Sequence, residues 1–212
     1  MEQPETTEPA VVPKPTLTDR LRVLTAPLID PIVTFLARYQ MSPDFLTVFG
    51  TLAHFLLAYL IGIGEFRWAG IAMIFLAPLD ALDGALSRKL GRKQDGFGAF
   101  LDSTLDRVAE IILFGGFLYY YLMQDNPQMV FVTYLAITGS LMVSYTRARA
   151  ESLGYSNKVG IASRVERYVL MIILLILNLP NVAVIVLAVL SYITFAQRLY
   201  NVWDQEYGRG SK

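Results

Sequence analysis

Four aspartates at short, regular spacing are the residues of this sequence whose types and positions indicate chemistry. Asp80 and Asp83 are three residues apart, and Asp102 and Asp106 are four apart, so each pair lies on one face of a helix. Both pairs lie in or beside long apolar segments, where an ionisable side chain costs roughly a few kcal/mol and therefore marks a functional site. Hard oxygen ligands suit Mg²⁺ or Mn²⁺, and we expect the four carboxylates to hold two such ions.

A turn near residues 91–96 makes the two aspartate-bearing helices antiparallel. In that register Asp80 lies level with Asp106, and Asp83 lies level with Asp102, so facing carboxylates form one cage. The cage is expected about two or three turns inside the membrane boundary. Paired metals in such a cage orient a diphosphate, stabilise its charge and activate an oxygen nucleophile.

Three further residues around the aspartates fit a phosphate-handling site. Gly84 and Gly98 allow a backbone or a ligand to approach the cage closely, because glycine has no side chain. Arg88, one turn beyond Gly84, is placed to neutralise phosphate. The competing interpretation is that the aspartate side chains only extend to water at the membrane surface or pair with Arg88 and Arg107. Four carboxylates in facing register argue against it.

The elements that position these residues are predicted to be membrane helices. Of the 212 residues 54% are apolar and 17% are charged, and a bilayer core of roughly 30 Å needs about 20 apolar residues per helix. The apolar segments are 46–63, 68–86, 97–123, 129–143, 165–179 and 182–195. We therefore expect an all-α bundle of six transmembrane helices.

The distribution of charge predicts the topology of the chain. With six spans, Arg67 is the one cation of 18 on the far side, so the positive-inside rule makes the other side, with both termini, cytoplasmic. Residues 1–16 are predicted to be a disordered tail, 17–40 an amphipathic interfacial helix, 41–204 the catalytic domain and 205–212 a short tail. The absence of cysteine excludes thiol nucleophiles and disulfides, and no nucleic-acid partner is expected.

A second polar group in the sequence consists of three arginines. Arg147, Arg164 and Arg198 lie at the cytoplasmic ends of three different predicted helices, all of which can converge above the aspartates. Three guanidinium groups form an anion pocket suited to a phosphate group. The alternative is that these arginines only follow the positive-inside rule.

The aspartate segment also carries a family resemblance. Its pattern D-x2-D-G-x2-[A/S]-R-x9-G-x3-D-x3-D resembles the signature of the CDP-alcohol phosphotransferases, membrane enzymes of phospholipid synthesis, with Ser87 at the alanine position. The resemblance implies that the aspartates bind metal and that Asp106 is the general base. It further implies a homodimer and direct displacement on CDP-diacylglycerol with release of CMP. The implied nucleotide site comprises Asp80, Asp83, Gly84, Ser87, Arg88, Gly98 and Asp102.

The arginine segments resemble one branch of that family. The strings SYTRARAE and R-x-E-R and the later QR are similar to the phosphatidylinositol-phosphate synthase branch, which implies inositol phosphate as acceptor and a phosphate held by the three arginines. Glycerol phosphate or another alcohol is the alternative acceptor. An intramembrane prenyltransferase is a further alternative, although both aspartate pairs here lie within a single 27-residue segment. A cation or proton transporter is another, although the sequence shows no repeated halves.

Overall fold

The computed structural model describes residues 17–91 and 96–208, which form helices joined by turns and irregular connections and contain no strand. The helices are α1 (Leu17–Arg38), α2 (Pro43–Gly62), α3 (Phe66–Lys89), α4 (Phe97–Met123), α5 (Pro127–Ser152), α6 (Arg164–Ile176) and α7 (Pro180–Trp203), with a π-helical turn at Asp204–Gly208. The predicted tail at 1–16, most of the predicted turn and residues 209–212 lie outside the described residues, as does the side chain of Asp80. The all-α prediction is confirmed.

Proline and left-handed residues set the ends of these helices. Helices α2, α5 and α7 begin at Pro43, Pro127 and Pro180. An amide hydrogen at the first position of a helix has no partner within the helix, so proline loses no hydrogen bond there. The links that follow α2, α4 and α6 turn back through residues with positive φ. These residues are Gly64 at 85°, Asp125 at 50° and Asn178 at 61°.

Each of the six predicted apolar segments falls on one helix from α2 to α7. Within residues 17–91 and 96–208, four helical segments are long and apolar enough to cross a membrane, namely Pro43–Gly62, Phe66–Lys89, Pro127–Ser152 and Pro180–Gly208. Helix α6 has only 13 residues, about 20 Å of rise, and α4 carries the charges of Asp102, Asp106, Arg107 and Glu110 in its first half. The four apolar helices identify an integral membrane protein, while the fifth and sixth spans stay a prediction.

Large apolar side chains cover the outside of the bundle. Phe75 is 75% exposed, Phe131 60% and Leu52 58%, each on a helix that can cross a membrane. A water-soluble monomer rarely shows contiguous apolar surface on this scale, whereas lipid covers it without cost. The exposed rings and aliphatic chains are therefore the expected lipid contacts of these helices.

Helix α2 packs against both helices of the predicted aspartate pair. Within the described residues α2 contacts α3 and α4 extensively, and α3 and α4 make no comparable contact with each other. The contact of α2 with α4 is close because Gly116 faces Ala58, whose carbonyl oxygen would overlap a Cβ at position 116. Helices α3 and α4 thus flank a space beside α2 rather than form a packed pair.

Helix α1 packs against α3. Ile29 and Val33 are buried against Leu82 and Leu86, while Phe35 on another face of α1 is 60% exposed. The helix continues through Pro27 and Pro31. The prediction of a helix over this segment is confirmed. Its role as an amphipathic helix at the membrane interface stays a prediction.

Candidate active site

An open pocket lies between the beginning of α2, the end of α3 and the beginning of α4. It encloses about 540 Å³ of empty space, including its mouth. Its lining residues are Pro43, Asp44, Thr47, Asp83, Gly84, Ser87, Arg88, Gly98, Ala99 and Asp102. The structure thus brings most of the predicted nucleotide-binding residues to one pocket, with Asp83 on α3 and Asp102 on α4 lining it together.

The Asp83 carboxylate is held by helix α2. Asp83 is only 6% exposed, and the Thr47 hydroxyl donates a hydrogen bond of 2.7 Å to its Oδ2 atom. A hydrogen bond to a carboxylate away from water is among the stronger kinds. Sequence reasoning did not identify Thr47 or its pocket neighbour Asp44. The available signal was their spacing of three residues, which places both on one face of the first turns of α2.

The two pocket glycines lie where another group comes close. A Cβ at position 98 would lie 3.3 Å from Asp44 Oδ1, and one at position 84 would lie 3.4 Å from Arg88 Nη1. The first contact joins α4 to α2, and the second places the Arg88 guanidinium over the Gly84 backbone. Larger side chains at either position would fill the pocket from its walls, which agrees with the predicted close approach of a ligand.

Asp106 lies one turn beyond Asp102 on α4 and contacts the first residue of α6. Its Oδ2 atom is 2.5 Å from Arg164 Nη1, with the two side chains 19% and 32% exposed. In the sequence, these residues are members of two separate groups, the aspartates and the arginines. In the structure, this ion pair brings the two groups into contact.

A second ion pair lies one turn deeper between the same two helices. Glu110 Oε1 is 3.0 Å from Arg167 Nη2, and Arg167 is 3% exposed. Arg167 also donates to Ser140 Oγ and to the Ala162 carbonyl. Sequence reasoning did not single out Arg167, although its spacing of three residues from Arg164 places both on one face of α6.

The other two predicted phosphate ligands have different surroundings. Arg198 is 4% exposed and donates to the main-chain oxygens of Val159 and Val143. Arg147 is about half exposed and pairs with Glu151 on its own helix at 2.9 Å. Among the described side chains, Arg164 is therefore the member of the predicted trio that pairs with a predicted metal-binding aspartate.

The carboxylates of the site are the candidate ligands of the divalent metals that the sequence predicts. Carboxylate oxygens at the mouth of a pocket suit Mg²⁺ or Mn²⁺ in chemical type. Among the side chains that the structure describes, which exclude Asp80, no three acidic or histidine residues are grouped closely enough to hold an ion. Asp83 and Asp102 share the pocket, and Asp106 is turned to Arg164. The residues fit the metal in type, and the four-carboxylate cage stays a prediction.

Comparison with known proteins assigns the chain to a class of membrane transferases. The family model for CDP-alcohol phosphatidyltransferase matches residues 40–196, which include every helix from α2 to α6 and most of α7. The chain therefore belongs to the CDP-alcohol phosphatidyltransferase family, and it is a transferase. The prediction of the family is confirmed, and the prenyltransferase and transporter alternatives are not supported.

Individual relatives are similar over most of their length. An archaetidylinositol phosphate synthase of Pyrococcus horikoshii is 41% identical over 174 residues, covering 81% of this chain and 89% of the relative. A phosphatidylinositol phosphate synthase of Streptomyces avermitilis is 37% identical, with coverage of 82% and 78%. The crystal structure of Mycobacterium tuberculosis phosphatidylinositol phosphate synthase with CDP-DAG bound has a TM-score of 0.74 at 33% identity, covering 82% of this chain and 92% of that one. The same enzyme was solved with manganese and citrate.

Proposed function

We propose that this enzyme transfers the phosphatidyl group of CDP-diacylglycerol to inositol phosphate, giving phosphatidylinositol phosphate and CMP. The observation that carries the proposal is the Asp106–Arg164 contact of 2.5 Å. It brings a carboxylate suited to accept the alcohol proton next to a guanidinium suited to bind a phosphate on the same alcohol. An acceptor without a phosphate would leave Arg164 without that role.

The open pocket is proposed to hold the nucleotide end of the lipid. Gly84, Ser87 and Gly98 leave room for cytidine, and Arg88 over Gly84 neutralises diphosphate charge. Asp106 takes the proton of the acceptor hydroxyl, and the oxygen of that hydroxyl attacks the phosphorus on the lipid side. The bond from that phosphorus to the bridging oxygen breaks, and CMP leaves with the bonding electrons.

A divalent cation, Mg²⁺ or Mn²⁺, would be held by the four aspartates Asp80, Asp83, Asp102 and Asp106. Two ions would stabilise the charge that develops on the diphosphate during displacement. The solved relative that contains manganese and citrate supports this part of the proposal. Thr47 contributes by fixing the Asp83 carboxylate at the edge of the pocket.

The acceptor is the more specific part of the proposal. The relatives from Pyrococcus and Streptomyces carry names for different lipid products but the same inositol phosphate group. Arg147 and Arg198 are proposed to add positive charge around the phosphate that Arg164 binds. Glycerol phosphate carries a similar phosphate and is the competing acceptor.

The proposed topology has six spans, cytoplasmic termini and α1 in the interface of the cell membrane. Helix α4 is 27 residues long, enough to cross, and it packs between the apolar helices α2 and α5. Leu177 and Leu179 add two apolar residues after α6, on either side of Asn178, which turns the chain towards Pro180. This topology puts the open pocket at the cytoplasmic face, where soluble nucleotide and acceptor are found. A homodimer is expected from the family resemblance.

The test of the acceptor compares two arginines near the same surface. Arg164→Ala removes the guanidinium beside Asp106, whereas Arg149→Ala removes an exposed one from the last turn of α5. A hydrogen bond to a charged group contributes about 1.5–3 kcal/mol. Arg164→Ala should therefore raise the KM for inositol phosphate by roughly 10- to 150-fold, with little change for Arg149→Ala. Equal effects of both substitutions would contradict the proposed role of Arg164.

A further inference from the structure

The connection between α5 and α6, residues 153–163, contains no helix yet is held along much of its length by helix α7. Thr194 Oγ1 accepts a hydrogen bond of 3.1 Å from the Ala162 amide, and Gln197 Oε1 accepts one of 3.0 Å from the Ile161 amide. These amides belong to the last part of the connection before α6 begins. Side chains of α7 therefore replace the partners that a helix or sheet would provide.

The same side of α7 holds the earlier part of the connection. Asn201 Nδ2 donates to the Ser156 carbonyl at 2.8 Å. Gln205 both accepts from the Ser156 amide at 3.1 Å and donates to the Ser156 carbonyl at 2.7 Å. We call Thr194, Gln197 and Asn201 of α7, together with Gln205 of the π-helical turn that follows it, the polar face of α7. The spacing of three and four residues keeps Thr194, Gln197 and Asn201 on one side of α7, and Gln205 in the turn donates to the same Ser156 carbonyl as Asn201.

Gly160 brings the backbone of the connection against α7. Its φ angle is +126°, a conformation that other residues rarely adopt, and a Cβ at this position would overlap Thr194 Cγ2. The connection therefore lies directly on the helix only because residue 160 has no side chain. A larger residue must push the connection away from α7 or displace Thr194.

The position of the connection determines the position of Arg164. Arg164 is the first residue of α6 and follows Ala162 by two positions, and Arg167 donates to the Ala162 carbonyl at 3.0 Å from within the bundle. The segment is thus fixed from both sides, by α7 and by Arg167. A shift of Ala162 would carry Arg164 away from Asp106, which it contacts at 2.5 Å.

We infer that the polar face of α7 and Gly160 are positioning elements of the acceptor site, which set the affinity for the acceptor by fixing Arg164 beside Asp106. None of these residues touches the open pocket of α2, α3 and α4. They act on the acceptor and leave binding of the CDP-lipid unaffected. The inference rests on the proposed function, since that assigns Arg164 to the acceptor phosphate.

The connection offers a matched set of variants. Gly160→Ala introduces both the strain of a positive φ and the overlap with Thr194. Gly154→Ala introduces strain at a φ of +88° in the same connection, but a Cβ there meets nothing within 4 Å. Thr194→Ser keeps the hydroxyl that binds the Ala162 amide and removes the methyl group that overlaps. The double variant Gly160→Ala/Thr194→Ser therefore restores the contact without removing the strain.

The experiment measures full-length protein in mixed micelles, with KM determined separately for the CDP-lipid and for the acceptor that the wild type uses best. Gly160→Ala should raise the acceptor KM by about ten- to a hundredfold, because displacement of a binding group by roughly 1 Å costs on this scale. The KM for the CDP-lipid and kcat at saturating acceptor should stay within about threefold of their wild-type values. A threefold change is smaller than a tenfold step, which corresponds to about 1.4 kcal/mol. Gly154→Ala should behave as wild type, and the double variant should recover most of the acceptor affinity.

Hydrogen exchange of residues 155–163 provides a readout that does not depend on the acceptor. The Ile161 and Ala162 amides should exchange faster in Gly160→Ala than in the wild type and slow again in the double variant. Unchanged exchange and unchanged acceptor KM in Gly160→Ala would overturn the inference, as would equal increases in the two KM values. A wild type that prefers an acceptor other than inositol phosphate would overturn the proposed acceptor, and the comparison of variants with the preferred acceptor would still decide the inference.

Discussion

Replacing Thr47 by valine tests the geometry of the pocket at a single atom. Thr47→Val keeps the shape of the side chain and removes the hydroxyl that donates to Asp83 Oδ2 at 2.7 Å. Asp83 is 6% exposed, so water has little access to replace the lost donor. We expect the Asp83 carboxylate to lose its fixed orientation while the fold of α2 is preserved.

The magnitude follows from the kind of bond that is lost. A hydrogen bond to a charged group contributes about 1.5–3 kcal/mol, which corresponds to roughly a 10- to 150-fold change in an equilibrium constant. Groups that orient metal-binding side chains typically cost about 10- to 100-fold in metal affinity or activity when they are removed. We therefore expect the metal concentration for half-maximal activity to rise by about one to two orders of magnitude.

The assay is a titration of Mg²⁺ and of Mn²⁺ while CMP release from CDP-diacylglycerol is followed. Thr51→Val is the matched control, because the Thr51 hydroxyl lies one turn along α2 and donates only to the main-chain oxygen of Thr47, at 2.9 Å, among the bonds described. The control should titrate as the wild type does. If Thr47→Val shows the wild-type metal requirement and activity, the Thr47 hydrogen bond has no part in the site and the proposed role of Asp83 weakens with it.

Three further predictions concern the base, the packing and the metal. Asp106→Asn should abolish transfer while CDP binding stays measurable by calorimetry, and full activity in this variant would refute the role of Asp106 as base. Gly116→Ala should destabilise the protein by about 1–3 kcal/mol in thermal unfolding in detergent, because its Cβ overlaps the Ala58 carbonyl; Gly115→Ala, whose Cβ meets nothing within 4 Å, is the control, and equal melting temperatures would contradict the packing of α2 on α4. Chelation should abolish transfer and either Mg²⁺ or Mn²⁺ should restore it, whereas activity that survives chelation would exclude the proposed metal site.

Hydrophobic segments predicted the helices well, because lipid imposes a simple rule on the sequence. Each predicted apolar segment coincides with a helix, and Pro43, Pro127 and Pro180 give the starts of three of them. The number of membrane spans does not follow from the hydrophobic segments as directly as the positions of the helices do. Helix α4 is as long as a span, but the charges in its first half lower its hydropathy, and α6 ends at Ile176, earlier than its apolar segment.

The pocket was predicted in part, since spacing along one chain segment identifies residues that share a helix face. Asp83, Gly84 and Gly98 come from one continuous segment and do line one pocket. Thr47 and Asp44 reach the pocket from α2, and only the packing of α2 on α3 and α4 shows it. Short-range patterns carry no information on such contacts between distant parts of the chain.

Tertiary contacts also decided the surroundings of the arginines. In the sequence, Arg147, Arg164 and Arg198 are equivalent, because each lies at the cytoplasmic end of a different predicted helix. In the structure Arg164 pairs with a carboxylate of α4, whereas Arg198 is buried against main-chain oxygens. The irregular connection before α6 has no period to recognise, so its attachment to the polar face of α7 could be found only from coordinates.

The most direct test of the proposed function is an acceptor panel with purified protein. Labelled CDP-diacylglycerol is supplied with Mg²⁺ or Mn²⁺ and with inositol phosphate, inositol, glycerol phosphate or serine in turn, and both CMP and labelled lipid are measured. We expect inositol phosphate to give CMP and phosphatidylinositol phosphate in equal amounts, with little product from the other alcohols. Preference for glycerol phosphate would contradict the proposed acceptor, and failure of every alcohol to release CMP would contradict the proposed reaction.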